Sequence, residues 1–461
     1  MEATKTKKKK PFGFYVCALG FTFERIAFYT AKYLLAIWIV TEVASGGLGL
    51  PDEKGVAMSA AFVAWTYITP IFGGYIADHW ISPRICVPVG MILMGLGYLC
   101  TWKADSMGLV WAMIILVSIG TGLFKNQLNA MVGELYTDAS QKDSAFSILY
   151  SFVNVGSFFG SLILAYLCAN TFATEVNGTL VQGFQKCFAL SGVMMLVATV
   201  VSVLGWRVLG DAGKLPQKML SHGDEGQKVL SAEEANRALT SDEKKRVIAI
   251  TIISAFTIIF WTAYYQASTS VLLYMNTYVN MNVGSFAVPP VWIETTLNGL
   301  LCILLGPVMA AIWSKLSNRP QGDLTMIQKV SLGFIFLGVA FVFMVGAEFT
   351  RGVGAPETAK ASVVWLIGFT VFQTIGEMCF SPLGNSMVSK HAPAKYLTVL
   401  MGVWTLATFA ASKASGYVQG IMESMGMMQV FIAIPVILIV SAVILLVFDK
   451  KLEAMLTAGQ K

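Results

Sequence analysis

The chain has 461 residues, of which 56% are hydrophobic and 13% charged, with a formal net charge of +6 and a mean hydropathy of +0.67. Soluble domains carry about 25% charged residues, so this composition excludes one: water would face too much apolar surface, whereas lipid accepts it. The net positive charge forms no basic, aromatic-interleaved patch, which excludes nucleic acid as a partner.

Read in chain order, a lysine tract (Lys5, Lys7, Lys8, Lys9, Lys10) precedes a long apolar stretch interrupted by Glu24, Arg25 and Lys32. A cleaved signal peptide has a short apolar core, so this stretch reads as a retained first membrane helix. Membrane-spanning runs are predicted from Pro11 to Thr41, Lys54 to Ala77, Pro83 to Trp102, Met107 to Leu135, Ser144 to Ala169 and Gly183 to Leu209. A polar linker, Gly210 to Lys245, follows. The second half gives Arg246 to Thr277, Pro289 to Ser317, Thr325 to Gly346, Ser362 to Lys390, Tyr396 to Ile421 and Met427 to Phe448. Two capping-box patterns lie in the linker: Ser231 to Glu234, for a short helix, and Thr240 to Glu243, for the start of the seventh span.

The expected fold class is therefore an all-α membrane protein of twelve transmembrane helices in two six-helix bundles, residues 1–209 and 246–461, joined by the linker 210–245. Basic residues crowd the connections on the N-terminal side. The opposite side has only Lys54, Lys103, Lys186, Arg351 and Lys360. By the positive-inside rule both termini and the linker are cytoplasmic, in a multi-pass protein of the cell membrane. Gly156 with Gly160 and Gly416 with Gly420 are GxxxG pairs that permit close helix approach. Seven cysteines form no CxxC or Cys/His ligand cluster and read as core residues; Cys168 and Cys187 flank one outer loop and are the pair placed for a disulfide. No cofactor or metal is expected, and HExxH, GxGD and GxSxG patterns placed for catalysis are lacking, which argues against an enzyme.

Charges inside the spans carry the functional signal, because each costs about 2.5–3.5 kcal/mol at mid-membrane on insertion scales. They are Glu24, Arg25 and Lys32 in the first span, Lys125 in the fourth, Glu377 in the tenth and Lys413 in the eleventh. Arg25, Phe28, Tyr29 and Lys32 follow i, i+3, i+4, i+7 spacing and share one helical face. Two cations and a phenol on one face suit a carboxylate, while Glu377 suits a cationic group or a proton. Structural ion pairing, for example Glu24 with Lys125, is the alternative. Lys413 reads as a snorkelling residue and Glu294 as an interfacial one. Asn154 and Asn298 are cavity amides or interhelical hydrogen bonds, and Trp404 a cavity wall or a packing aromatic.

At these residues the chain resembles the proton-dependent oligopeptide transporter family of the major facilitator superfamily. Glu24-Arg25-Ile26-Ala27-Phe28-Tyr29 is similar to its ExxERFxYY motif, and Tyr67 to Asp78 to its second-helix stretch. Gly122-Leu123-Phe124-Lys125-Asn126 resembles GLFKPN, and Phe146 to Tyr150 with Asn154 to Ser157 the fifth-helix signature. Phe260-Trp261 with Gln266, Asn298 with Pro307, Ile375-Gly376-Glu377 with Ser381-Pro382, and Met401-Gly402-Val403-Trp404 complete the resemblance. It implies import of di- or tripeptides, or peptide-like solutes, by proton symport through alternating access in a monomer.

The resemblance also implies roles. Arg25, Lys32 and Lys125 hold the peptide's carboxylate end, and Glu377, Asn154 and Asn298 its amino end. Tyr29, Tyr67 and Trp404 line the pocket; Glu24, Lys125 and Glu377 couple protons; Asp78 and Arg84 form a conformational latch. The sequence departs from the family pattern at Phe21, which replaces the first Glu of ExxER, and at Tyr265, which replaces a seventh-helix carboxylate. Gly299 replaces the Pro of the eighth-helix NP pair. These departures leave a second reading open: the same fold carrying another small organic anion or amphipathic solute, with proton coupling weakened or absent.

Overall fold

Backbone in lipid must satisfy its own hydrogen bonds, and helices do so within one segment. The computed structural model, which describes residues 11–136, 139–215, 238–284, 286–320, 324–393 and 396–459, is accordingly helical along most of its length. The lysine tract and the Ser231 capping pattern lie outside the described residues, as do the side chains of Asp78, Phe146, Ser147, Tyr150, Pro307 and Pro382.

The first helices are α1 (Phe12–Val40), α2 (Asp52–His79), α3 (Pro83–Trp102), α4 (Met107–Glu134), α5 (Ala139–Tyr166) and α6 (Phe184–Leu204). After the linker come α7 (Ser241–Tyr264), α8 (Ser270–Tyr278), α9 (Leu297–Ser317), α10 (Met326–Arg351) and α11 (Val363–His391). Then follow α12 (Leu397–Ser415), α13 (Val418–Met425), α14 (Met427–Val447) and α15 (Asp449–Leu456). Among the described residues, ten spans are long and apolar enough to cross a membrane, with α7 and α8 counted as one. Neither α1, 29 residues long, nor α12, 19 residues long, is among the ten. Both carry charges singled out above.

The chain packs as two units: 1–31 with 68–174 and 183–223, and 32–67 with 175–182 and 224–461. The boundaries fall inside α1 and α2, not only at the linker. In the first unit, α2 meets α4 where Gly73 and Gly122 remove the side chains. A Cβ at Gly73 would sit 2.1 Å from the Gly122 carbonyl oxygen, so only glycine fits. Polar side chains pair across the contact: Thr69 donates to the Ser118 carbonyl at 2.6 Å, Asn126 to the Pro70 carbonyl at 3.1 Å and Gln127 to the Gly73 carbonyl at 2.7 Å.

In the second unit, the predicted capping box at the start of α7 is present. Thr240 Oγ1 accepts from the Glu243 amide at 3.2 Å and the Thr240 amide donates to Glu243 Oε2 at 2.9 Å. The seventh span is not continuous. A 3₁₀ turn, Tyr265–Ser268, and a non-helical Thr269 (φ −126°, ψ −105°) separate α7 from α8. The loop predicted to follow α5 holds a hairpin, β1 (Thr174–Val176) with β2 (Thr179–Val181). Its two-residue turn is Asn177 and Gly178, at φ 52° and 77°, the primed geometry that hairpin twist favours. Cys168 and Cys187 are both buried, and both are free thiols.

Candidate functional site

In the first unit, Glu24 and Arg25 are neighbours on α1 and form a two-pronged ion pair: Arg25 Nε to Glu24 Oε2 and Arg25 Nη2 to Glu24 Oε1, each 2.5 Å. Glu24 is 1% exposed. The ion pair that forms is thus within α1 and not the Glu24–Lys125 pair named as an example of the alternative reading, because a planar guanidinium matches both carboxylate oxygens at once. The guanidinium also lies 4.5 Å from the Phe28 ring centroid and 5.8 Å from that of Tyr29, which holds it over one face of the helix. Lys125, half-buried on α4, interacts electrostatically with both Arg25 and Glu24.

What positions this group is the predicted GxxxG pair on α5. A Cβ at Gly156 would sit 2.6 Å from the Thr22 carbonyl oxygen and 2.7 Å from Arg25 Cβ, and one at Gly160 2.8 Å from Ile26 Cα. Thr22 Oγ1 bridges the same crossing, donating to the Phe152 carbonyl at 3.2 Å. Asn154, half-buried on α5, makes no side-chain hydrogen bond to the described residues. Phe21 packs edge-on against Phe124, with ring centroids 5.3 Å apart.

The second unit gathers the other predicted site residues. Glu377 on α11 accepts a hydrogen bond from Tyr264 Oη at 2.6 Å and one from Asn298 Nδ2 at 3.2 Å, both on Oε2. Asn298 also donates to Thr374 at 2.9 Å, so its amide is fixed from two sides. Lys32, 9% exposed, donates to Tyr33 Oη at 2.8 Å and interacts electrostatically with Glu377. Beside them runs an aromatic wall. Trp404 stacks with Phe380 (centroids 6.3 Å), Phe380 meets Trp261 (5.9 Å), Trp261 stacks with Tyr265 (5.6 Å), and Tyr265 meets Tyr67 (6.5 Å). Trp404 and Tyr67 therefore belong to one continuous surface. The other predicted glycine pair packs here too: a Cβ at Gly416 would meet Ala60 Cβ at 2.9 Å, and one at Gly420 the Glu53 carboxyl at 3.2 Å.

Glu294, expected at the membrane interface, is buried in the protein at 6% exposure. It sits in a π-helical turn, Trp292–Thr296, that widens the backbone just before α9. Thr295 Oγ1 hydrogen-bonds its carboxylate, and Lys32, Tyr33 and Glu377 lie within electrostatic reach. Arg351, predicted to be in an outer connection, is buried as well, paired through two bonds with Glu348 (2.9 and 2.7 Å), which also accepts from Tyr274 Oη at 3.0 Å.

Arg84 donates to the carbonyls of Gly210 (2.9 Å) and Ala212 (2.7 Å), and its amide to Gly213 (2.9 Å). It thereby ties the start of α3 to the segment after α6. Lys413 is half-buried towards the end of α12.

The POT family model matches residues 84–223 and 217–437. The chain belongs to the POT family.

Relatives of this POT chain match along nearly its whole length. The peptide transporter YePEPT of Yersinia enterocolitica is 26% identical over 450 residues, covering 86% of this chain and 85% of its own. Dipeptide and tripeptide permease A of Escherichia coli is 26% identical over 497 residues, covering 97% and 94%. Among solved structures, a peptide transporter POT in complex with alafosfalin superposes with a TM-score of 0.86 at 24% identity, covering 98% and 97%. A POT family transporter in complex with 5-aminolevulinic acid gives 0.82 at 23%, covering 97% and 98%. The fold is thus that of POT transporters, and this POT chain is a membrane transporter, not an enzyme.

Four residues of the second unit's cluster escaped the sequence reading: Tyr33, Tyr264, Thr374 and Glu294. The phenols and the threonine carry no charge to mark them in an apolar run. Glu294 does carry one, but five residues from the start of a predicted span an interfacial place explains it equally well.

Proposed function

We propose that this chain imports di- or tripeptides, or peptide-like solutes, across the plasma membrane by proton symport, through alternating access of twelve spans with both termini cytoplasmic. In this reading residues 1–209 and 246–461 are the two six-helix bundles and 210–245 the cytoplasmic linker. Arg25 and Lys125 take the peptide's carboxylate, with Lys32 added on loading. Glu377 takes its ammonium, with Asn298 fixing the carboxylate and Asn154 offering a free amide. Tyr29, Tyr67 and Trp404 form tolerant walls. Glu24, Lys125 and Glu377 share the proton traffic, and Asp78 with Arg84 acts as the latch.

One observation carries this reading. Glu377 has Oε2 held by Tyr264 and Asn298, while Oε1 receives no hydrogen bond from the described residues. An ionised carboxylate accepts about four hydrogen bonds, so a fixed carboxylate with one open oxygen is prepared for an ammonium donor. The names of the relatives agree, since YePEPT is a peptide transporter and permease A takes dipeptides and tripeptides. The test is uptake of labelled Ala-Ala into proteoliposomes with and without an inward pH gradient. Lys125→Ala and Glu377→Gln abolish driven uptake and leave folding intact. Normal accumulation in both variants overturns the proposal.

A second reading is favoured by Phe21 and Tyr265, aromatic rings at two positions where the resemblance leads one to expect carboxylates. It keeps the fold and assigns another small organic anion or amphipathic solute, moved without strict proton coupling. Uptake that is equal with and without the gradient selects it.

A further inference from the structure

The second unit holds a cavity of about 480 Å³ that shares no lining residue with the Glu377 cluster. It lies among the start of α2, the start of α8, the end of α10 and the elbow between α13 and α14. With the termini cytoplasmic, as proposed above, this is the outer end of the molecule. Small-molecule sites usually have volumes of about 300–1,000 Å³, and this cavity falls among them. The break in the seventh span separates the two places. Tyr264, the last residue of α7, serves Glu377, and Ser270, the first of α8, lines the cavity.

Three carboxylates line it, Asp52, Glu348 and Glu423, and among the lining residues there is no lysine, arginine or histidine. Glu348 is already engaged, by both prongs of Arg351 and by Tyr274 Oη. Arg351 Nη1 donates to the carbonyls of Ala355 and Pro356 (2.8 and 3.4 Å), so that guanidinium is committed elsewhere. The Asp52 carboxylate makes no hydrogen bond or ion pair to the described residues, and that of Glu423 accepts one bond, from Gln419 Nε2 at 3.2 Å. Glu423 sits in the last turn of α13, where the helix dipole disfavours an anion. A neutral polar group joins them. Ser270 is 2% exposed, and its Oγ has no hydrogen-bond partner among the described residues. A buried hydroxyl without a partner is costly, and this one belongs to the wall of an open space. Leu273, Tyr278, Met422, Met427 and Met428 supply apolar wall, of which methionine adapts readily to varied shapes.

We infer that this cavity is a second binding site, for an organic ammonium ion with an apolar body. Asp52 and Glu423 take the charge, the Ser270 hydroxyl accepts from the ammonium, and the methionines with Tyr278 cover the body. An ammonium has three donors and no acceptor, which matches two unanswered carboxylates and one hydroxyl oxygen. With no lysine or arginine on its wall, the site differs from the central one: a zwitterion would bring a carboxylate that nothing here receives. The inference does not depend on peptides being the transported solute.

The test is equilibrium binding of labelled phenethylammonium to the purified full chain. The wild type is expected to bind it saturably. Asp52→Asn and Glu423→Gln each weaken binding about tenfold, the scale of one bond to a charged group, and Ser270→Ala weakens it about threefold. Asp52→Glu keeps the charge and retains saturable binding. Phenethyl alcohol, with the same body and no charge, competes about tenfold more weakly or worse, and so does phenylalanine, which adds a carboxylate. Glu377→Gln binds the amine as the wild type does, because the central carboxylate is not part of this site. No saturable binding by the wild type overturns the inference, as does binding that survives Asp52→Asn combined with Glu423→Gln. Loss of binding in Glu377→Gln also overturns it and puts the amine in the central cluster. Equal competition by phenethyl alcohol overturns it as well, marking an apolar groove without a charge site. Driven uptake of Ala-Ala tests the peptide reading separately, so either can fail alone.

Discussion

Removing a single oxygen, by Tyr264→Phe, tests whether Glu377 is a prepared receptor for an ammonium group. Tyr264 Oη lies 2.6 Å from Glu377 Oε2, a short bond to an ionised acceptor in a half-buried setting. Bonds to charged groups contribute about 1.5–3 kcal/mol net, which is about 10- to 150-fold in a binding constant. Asn298 still holds the same oxygen at 3.2 Å, so the carboxylate keeps one of its two anchors. The expectation therefore sits at the lower end, about a 10- to 30-fold rise in the half-saturating concentration of Ala-Ala for exchange. The maximal rate per folded protein changes less, because the bond orients the receptor and is not itself broken by transport. Tyr274→Phe is the matched control. It removes the same atom from a carboxylate, Glu348, that keeps both prongs of Arg351, so it affects stability and leaves half-saturation unchanged. A Tyr264→Phe protein that saturates within twofold of wild type refutes the idea that anchoring Oε2 presents Oε1.

Three further outcomes follow from the packing and charges. Gly156→Ala places a Cβ 2.6 Å from the Thr22 carbonyl oxygen and 2.7 Å from Arg25 Cβ; overpacking of this kind costs about 1–3 kcal/mol, and both the melting temperature and Ala-Ala uptake fall, with Gly178→Ala at the open hairpin turn lowering neither uptake nor exchange. Arg351→Met leaves Glu348 buried without its ion-pair partner, at a cost of about 3–5 kcal/mol, so its melting temperature drops more than that of any exposed-lysine variant such as Lys214→Ala. An inside-negative potential speeds uptake of zwitterionic Ala-Ala into proteoliposomes, while uptake that ignores the potential shows that no net charge moves with the peptide.

Much of the fold was legible because lipid imposes one rule, and the sequence shows where it is kept. Apolar run lengths gave the helices to within a few residues, and Thr240 with Glu243 announced the start of α7. The breaks were harder to read. Nothing in the composition around Tyr265–Thr269 or Trp292–Thr296 separates a 3₁₀ or π turn from a regular helix, since each mixes an aromatic ring, hydroxyls and one polar side chain, Gln266 or Glu294; their geometry comes from what packs against them. The site divides in the same way. Glu24, Arg25, Lys125, Lys32 and Glu377 stood out because charge in an apolar run is costly, and each now lies in a charged cluster. Their partners were not legible. Arg25 turned to its own neighbour, a partner that spacing does not encode, and Tyr264 gains meaning only from Glu377, far along the chain.

The charges that each cluster leaves unbalanced give the transport reading its direction. Counting every group as ionised, Glu24, Arg25 and Lys125 leave one positive charge, and Lys32, Glu294 and Glu377 leave one negative. A carboxylate suits the first surplus and an ammonium the second, which is the pattern of a zwitterion with its ends apart. Under the proposed symport a bound zwitterion adds no charge and each co-transported proton adds one, so the loaded form is pulled inward by an inside-negative membrane, by about 2.3 kcal/mol per 100 mV for a charge crossing the full field.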